Sequence, residues 1–464
     1  MSERPNILWL MTDEQRADSL GVEGRPWAHT PHLDERARRG TRFAAAYTPS
    51  PVCVSARASV LTGRTCSRLE VLNNHQHLPD DRAQFLTQIF AEAGYATASF
   101  GKHHYNNPTP AFQTQVDRVL GNRVGYTAYR DDIDTADLGV VRYPGNDENK
   151  AFPWILAGRF PGTIDETPEA HTCADALDWL RQRRPDAPFL ARLSFNAPHT
   201  PVVAPAPYDT MVPEDVVDLP VDDPADLGHL PASVHEYLIQ RAGAHRLTTA
   251  QIRRARQCYY GAVAALDELF GRFLAEASSL GALDNTIVAF MSDHGAHLAD
   301  HGFFQKQSFF EESARVPWVV SGPGVATGAV VEEPVSTGSL LPTLLDLAGL
   351  QAPGDVDYPS LAPTLRHGTD PDDTPVVSEI DYGLWDYRSG DRHVMVRQGR
   401  WKLVLFRDPS QTRPLADVDG CMLFDLESDS GERHNLSGDP ESEAVIDELL
   451  QSLDAWDRRH STPV

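Results

Sequence analysis

Through roughly its first 360 residues the chain switches repeatedly between short, unbroken apolar runs and longer stretches of helical periodicity. Residues 6–11 read NILWLM and give way at once to Thr12, Asp13, Glu14 and Gln15. A run that is apolar on both faces suits a strand buried between two layers, and the abrupt polar step marks where it emerges. Residues 95–100, 188–195, 286–291 and 316–320 repeat the pattern, each closed by Gly, Asn or Ser. The stretches 83–93, 173–181, 250–277 and 340–347 carry helical spacing, so the alternation predicts an α/β fold built on a large, mostly parallel sheet flanked by helices.

Beyond about residue 360 the pattern changes. Residues 392–396, 401–406 and 421–426 are short runs separated by turn residues, and the chain closes on a helical stretch at 441–456. This predicts two units, a catalytic domain over 1–360 and a small α+β subdomain over 361–464 with antiparallel strands. Residues 106–169 are polar and rich in Asp, Gly and Pro, which predicts an irregular excursion near the substrate.

Composition narrows the function classes. With 464 residues the chain can bury a deep site, and its 41% hydrophobic content is that of a folded protein. A formal net charge of -25 argues against a nucleic acid partner. No run reaches the length of a membrane span, and residues 7–11 are too few for a signal sequence. Five widely spaced cysteines without CxxC pairs fit a reducing compartment, so the expected location is cytoplasmic.

In an open α/β sheet, ligands bind beyond the carboxyl ends of the strands, where residues distant in sequence converge. Asp13 and Glu14 follow the first run, and Asp293 and His294 follow the run at 286–291. Three carboxylates and an imidazole make a mostly oxygen shell suited to Ca²⁺, with Mn²⁺ or Zn²⁺ as alternatives because of the histidine. Such a set also predicts dependence on the cation, which would relieve three carboxylates held at close range.

Between these pairs lies Pro51-Val52-Cys53-Val54-Ser55-Ala56-Arg57, followed by a small-residue stretch and Thr62-Gly63-Arg64. It resembles the signature of the sulfatase family, a CxPxR core followed by a helix and Thr-Gly-Arg. Ser55 stands at the family's proline. Further matches follow in the family's order. Gly101-Lys102-His103-His104 is similar to its Gly-Lys-Trp-His segment, with His103 in place of tryptophan. Ser194 to Pro201 includes His199; Ser292 to Gly295 precedes Lys306, Glu311-Glu312 and Arg315-Val316-Pro317. The chain has only four lysines, and Lys102 and Lys306 both fall on motif positions. Residues 400–404 and 423–427, then Glu432 and Asn435-Leu436, resemble the small domain that ends many sulfatases.

The resemblance implies an alkaline phosphatase-like fold and hydrolysis of a sulfate ester of a small molecule or saccharide. It implies that Cys53 is oxidised to formylglycine by a formylglycine-generating enzyme, its hydrate serving as metal ligand and nucleophile. Arg57 would steady the modified residue, Lys102 and Lys306 would meet the sulfate oxygens, and His199 or Lys306 would protonate the leaving alcohol. His104 would help regenerate the aldehyde, while His103 and His301 are assigned structural places. If Cys53 stays unmodified, its thiolate beside the metal and Arg57 is itself a nucleophile. A phosphonate monoester or phosphodiester hydrolase on the same scaffold, and a noncatalytic binding protein, are the competing readings. Asn73, Asn74, His75, His77, Trp385 and Tyr387 are candidates for contact with the alcohol portion.

Overall fold

The first apolar run becomes the strand Asn6–Asp13 (β1), buried from Ile7 onward, near the middle of the main sheet. The computed structural model describes residues 4–78, 84–106, 111–117, 136–142, 155–184, 187–220, 243–382, 392–406 and 421–460. Gly40–Phe43 (β2), Ala96–Gly101 (β3), Thr114–Val116 (β4), Phe189–Pro198 (β5), Thr286–Ser292 (β6), Trp318–Ser321 (β7) and Ala329–Val331 (β8) complete the sheet among the described residues. Their order is β8-β2-β7-β6-β1-β5-β3-β4. All pairs from β6 to β4 are parallel, β7 is antiparallel to β6 and β2, and β8 is parallel to β2.

Alternate residues of β1 feed different cores, as the two-residue period of a strand requires. Ile7, Trp9 and Met11 pack with Val54 and Leu61 of the helix Cys53–Thr62 and with the helix Leu340–Leu347. Leu8 and Leu10 face the other way, onto the helices Pro168–Gln182 and Thr249–Ser279. Both faces of the sheet are therefore covered, which accounts for the unbroken apolar runs.

The C-terminal strands Val376–Ile380 (β9), His393–Gln398 (β10), Trp401–Leu405 (β11) and Cys421–Asp425 (β12) form an antiparallel sheet in chain order. The helix Glu443–His460 covers one face through Leu449, Leu453 and Trp456. The other face seats Met395, Val404 and Phe424 on Tyr47, Phe303 and Phe310 of the larger unit.

The described parts of the stretch 106–169 are more regular than its composition predicts. Val141–Arg142 pairs with Ile155–Arg159, and the latter also pairs with Val202–Ala204. That small sheet packs on Ala255, Tyr259 and Val263 of the long helix, a long-range contact that local polarity does not report. No helix among the described residues is long and apolar enough to cross a membrane.

Candidate active site

β1 and β6 lie side by side with Thr12 opposite Ser292, so Asp13, Glu14, Asp293 and His294 emerge together. Glu14 turns the chain with φ at 66°, a left-handed conformation that costs a non-glycine residue energy. Tertiary contacts hold it there. Its N–H donates to Asp293 Oδ1 at 3.2 Å, and the Tyr259 hydroxyl donates to its carbonyl at 2.7 Å.

Cys53 is the first residue of a helix whose ten residues are all buried. Val52, at the cap position, offers no side-chain acceptor; Asn74 Oδ1 accepts the Val54 N–H at 2.9 Å instead. Cys53 Sγ lies 3.1 Å from His294 Nε2 and 3.9 Å from Asp13 Oδ1, and His104 is a near neighbour that helps to lower its pKa. Burial alone would raise the thiol's pKa. Lys306, Lys102 and His294 outweigh it and hold the group well below its ordinary value.

One helical turn on, Arg57 reaches across the strand ends. Its Nε donates to Asp293 Oδ2, its Nη2 to Asp13 Oδ2 and its Nη1 to Ser194 Oγ, each at 2.8 Å. Nη1 also donates to the Lys102 carbonyl at 3.2 Å. Arg57 thus binds the two carboxylates rather than presenting its guanidinium to the pocket. Burial and the negative charge of Cys53 would raise the pKa of Asp13, but Lys102, His199 and Arg57 keep it below the usual carboxylate range. Asp293 is pushed up to about 6 by burial and by Asp13.

Lys102 follows Gly101, whose φ is 88° and where a Cβ would lie 2.1 Å from the Ser194 carbonyl oxygen. Only glycine lets the strands close there. The Lys102 N–H then donates to that oxygen at 2.7 Å, and Nζ reaches Asp13 Oδ2 at 2.5 Å. Lys306 is flanked by Gln305 and Gln307, both at positive φ. Its Nζ is 3.0 Å from Glu14 Oε2 and 2.6 Å from His199 Nε2. His199 Nδ1 faces the Thr200 carbonyl at 2.5 Å, so that nitrogen carries the hydrogen and Nε2 accepts from Lys306.

Ligand atoms of Asp13, Cys53, Asp293 and His294 all lie within 4.8 Å of one another. Two buried carboxylates, an imidazole and the group at position 53 within reach of one centre fit a divalent ion. Glu14 stands apart from that set: its carboxylate forms a second group with Asp13 and His199, turned toward Lys306. His103 lies edge-on to Tyr105 and 3.5 Å from Asp117, while His301 sits with Glu312 and Glu432 at the junction with the C-terminal sheet. Asn73 donates to Asp381, and Asn74 caps the Cys53 helix, so these two asparagines serve the scaffold. His75 and His77 are exposed; Trp385 and Tyr387 lie outside the described residues. Ser194, Thr200 and Tyr259 support the cluster without having been legible as site residues, since each acts through a contact distant in sequence.

The family model named sulfatase matches residues 5–350. The chain belongs to the sulfatase family. Within this sulfatase, residues 299–459 also match the C-terminal region of N-sulphoglucosamine sulphohydrolase. The chain is 27% identical to an arylsulfatase of Clostridium perfringens, over 97% of this chain and 94% of that protein. It is 30% identical to an ulvan-active sulfatase of Formosa agariphila, over 97% and 80%. Among solved structures, a phosphonate monoester hydrolase from Silicibacter pomeroyi superposes with a TM-score of 0.79 at 25% identity, covering 98% of this chain and 96% of that one. The family places this enzyme among the sulfuric ester hydrolases.

Proposed function

We propose that this sulfatase cleaves sulfate esters of small molecules or saccharides with a formylglycine derived from Cys53 and one divalent cation. The observation that carries the reading is the placement of Cys53 Sγ at 3.1 Å from His294 and 3.9 Å from Asp13, in a chain that matches the sulfatase model. Asp13, Asp293, His294 and residue 53 are the residues that would hold the cation, with Glu14 a further donor; calcium suits the oxygens, manganese or zinc the imidazole. When bound, the cation and the aldehyde supply Lewis acidity and a hydrated carbonyl nucleophile.

The chain's own groups divide the remaining work. Lys102 and Lys306 put positive charge beside the nonbridging sulfate oxygens, and Arg57 holds Asp13 and Asp293 in place. Burial disfavours the Lys306 ammonium, but Cys53, Glu14 and Asp13 raise its pKa above the ordinary value. An ammonium so held is a fixed charge and a poor acid. His199 would act as the acid from its imidazolium form, with a proton taken up from solvent at Nε2, the atom that accepts from Lys306 in this structure, and passed to the leaving oxygen. His104, a neighbour of residue 53, would take a proton from it when the product sulfate departs. All five cysteines are free, in keeping with a reducing, cytoplasmic compartment.

The second reading, a phosphonate monoester hydrolase, is favoured by the superposition on the Silicibacter pomeroyi enzyme. Parallel rates on aryl sulfate and aryl phosphonate monoesters separate the two, with the sulfate expected to react faster. Peptide mass spectrometry of protein made with a formylglycine-generating enzyme is expected to find the aldehyde at position 53. Ser55 is the third residue of its helix, where the N–H has no intrahelical acceptor, and its buried Oγ has no partner among the described residues. Ser55→Pro therefore costs no helical hydrogen bond and should raise the converted fraction. An active preparation holding only cysteine at position 53 would exclude the aldehyde, and faster phosphonate hydrolysis would exclude the sulfate reading.

A further inference from the structure

Arg192 lies in the middle of β5 and is only 1% exposed. A lone cation so deep in a sheet is costly unless something uses it. No carboxylate pairs with it among the described residues. Its Nε donates to Ser99 Oγ at 3.0 Å and its Nη2 to the Lys102 carbonyl at 3.3 Å. The guanidinium is flanked by two aromatic rings, with Cζ 5.2 Å from the Trp9 ring and 5.1 Å from that of Phe112. Burial pulls its pKa down to about 10, so it remains charged at neutral pH.

The Lys102 peptide is consequently held from both sides. Its N–H donates to the Ser194 carbonyl at 2.7 Å, while its carbonyl accepts from Arg57 at 3.2 Å and from Arg192. Lys102 is the first residue past β3, where the sheet no longer fixes the chain. His104 follows two residues later with φ at 46°, a conformation that needs outside support.

We propose that Arg192 is a positioning residue for this active site, fixing the Lys102 carbonyl so that the Lys102 ammonium stays on Asp13. The proposal rests on the reading of Lys102 as a group that meets the sulfate. It explains why a charged side chain occupies a site that an apolar one would fill: the aromatic pair orients the guanidinium edge toward two acceptors at once. Lysine cannot reproduce this fork, and methionine fills the same slot without donating.

The test is a double-mutant cycle of Arg192→Met and Lys102→Ala, reading kcat and KM on an aryl sulfate together with the unfolding midpoint. Arg192→Met replaces a lone buried charge by an apolar chain of similar length, so the midpoint should hold or rise. Its kcat should fall on the order of ten- to hundred-fold, as expected when a reacting group is displaced by about an ångström. In the Lys102→Ala background the same change should cost less than about twofold. A merely structural role would lower the midpoint and multiply the losses. Full kcat/KM in Arg192→Met, or losses that multiply, overturns the proposal. If Arg192→Met does not fold, Arg192→Gln, which keeps one donor for the carbonyl, enters the same cycle with a smaller expected loss. Lys102→Ala at full activity would remove the reading of Lys102 itself, whereas an impaired Lys102→Ala beside an unimpaired Arg192→Met removes only the role of Arg192.

Discussion

Arg57→Ala should destabilise the cation-free protein severely, and added divalent cation should restore much of the loss. Arg57 has no exposed side-chain surface and bridges Asp293 and Asp13 with hydrogen bonds of 2.8 Å each. Asp13 retains Lys102 at 2.5 Å when Arg57 is removed. Among the described residues Asp293 retains no cationic side chain within 4 Å except His294, 3.7 Å away, beside the backbone N–H groups of Glu14 and His294. The damage therefore amounts to about one broken buried ion pair, or roughly 3–5 kcal/mol, and falls mainly on Asp293. Against a total stability on the order of 5–15 kcal/mol, the variant should still fold while its urea midpoint drops sharply. Protonation of Asp293, already pushed up to about 6, caps the penalty at acid pH.

The assay is urea unfolding of wild type, Arg57→Ala and Arg57→Lys, each in chelator and in excess calcium. Calcium bound through the same carboxylates would stabilise the folded state, so the gap between wild type and Arg57→Ala should narrow when it is present. Arg57→Lys, with one charge but no fork, should fall between them. An Arg57→Ala protein as stable as wild type in chelator would refute the reasoning, as would a gap that calcium leaves unchanged.

Three further outcomes are expected. His199→Ala should slow esters of basic alcohols more than activated aryl esters, whereas Lys306→Ala should slow both alike; a flat leaving-group series for His199→Ala would remove its role as acid. Glu432 accepts from the Glu311 N–H and pairs with Lys402 at 2.8 Å, yet burial, with Glu311 and Glu312 near, pushes it from 4.5 up to about 7 despite that lysine. The folded state then holds a proton the unfolded chain has lost, so stability should decline as pH rises from about 4.5 through 7, and Glu432→Gln should flatten that decline; an unchanged slope in melting temperature counts against it. Asn74→Ala should cost about 1 kcal/mol, the usual worth of a helix cap, and an unaltered urea midpoint would show that Asn74 does not serve as one.

Some of this architecture is legible in the sequence, and the rest is withheld for physical reasons. β1, β5 and β6 are buried on both faces and read as apolar runs. β2, with the sequence GTRF, carries no such signal and exists because β7 and β8 supply its hydrogen-bond partners. β9 follows an exposed, polar, Pro-containing approach and is fixed by pairing with β10. Asp13, Asp293 and His294 could be found because strand ends concentrate polar residues. The helix Cys53–Thr62 shows Arg57 one turn beyond Cys53, but not that its guanidinium spans two carboxylates. Asn74, 20 residues from the amide it caps, and Arg192, inside an otherwise apolar strand, act only through tertiary contact.

The charge arrangement also revises why this site calls for a cation. Read from the sequence, three carboxylates at close range need a metal to keep them together. In the fold each already has a buried counter-cation: Asp293 has Arg57, Asp13 has Arg57 and Lys102, and Glu14 has Lys306. Three carboxylates against three permanent cations leave the framework near neutrality, so the scaffold can assemble without the ion. The charge of a bound ion would then be available to an anionic ester instead of being consumed by the protein. A thiolate at position 53 would subtract from that charge, and the positive charges of Lys306, Lys102 and His294 outweigh burial and favour the thiolate. Conversion to an uncharged aldehyde, as proposed, would remove this negative charge from the centre of the site. The modification would thus change the field that an incoming sulfate meets as well as the nucleophile that attacks it.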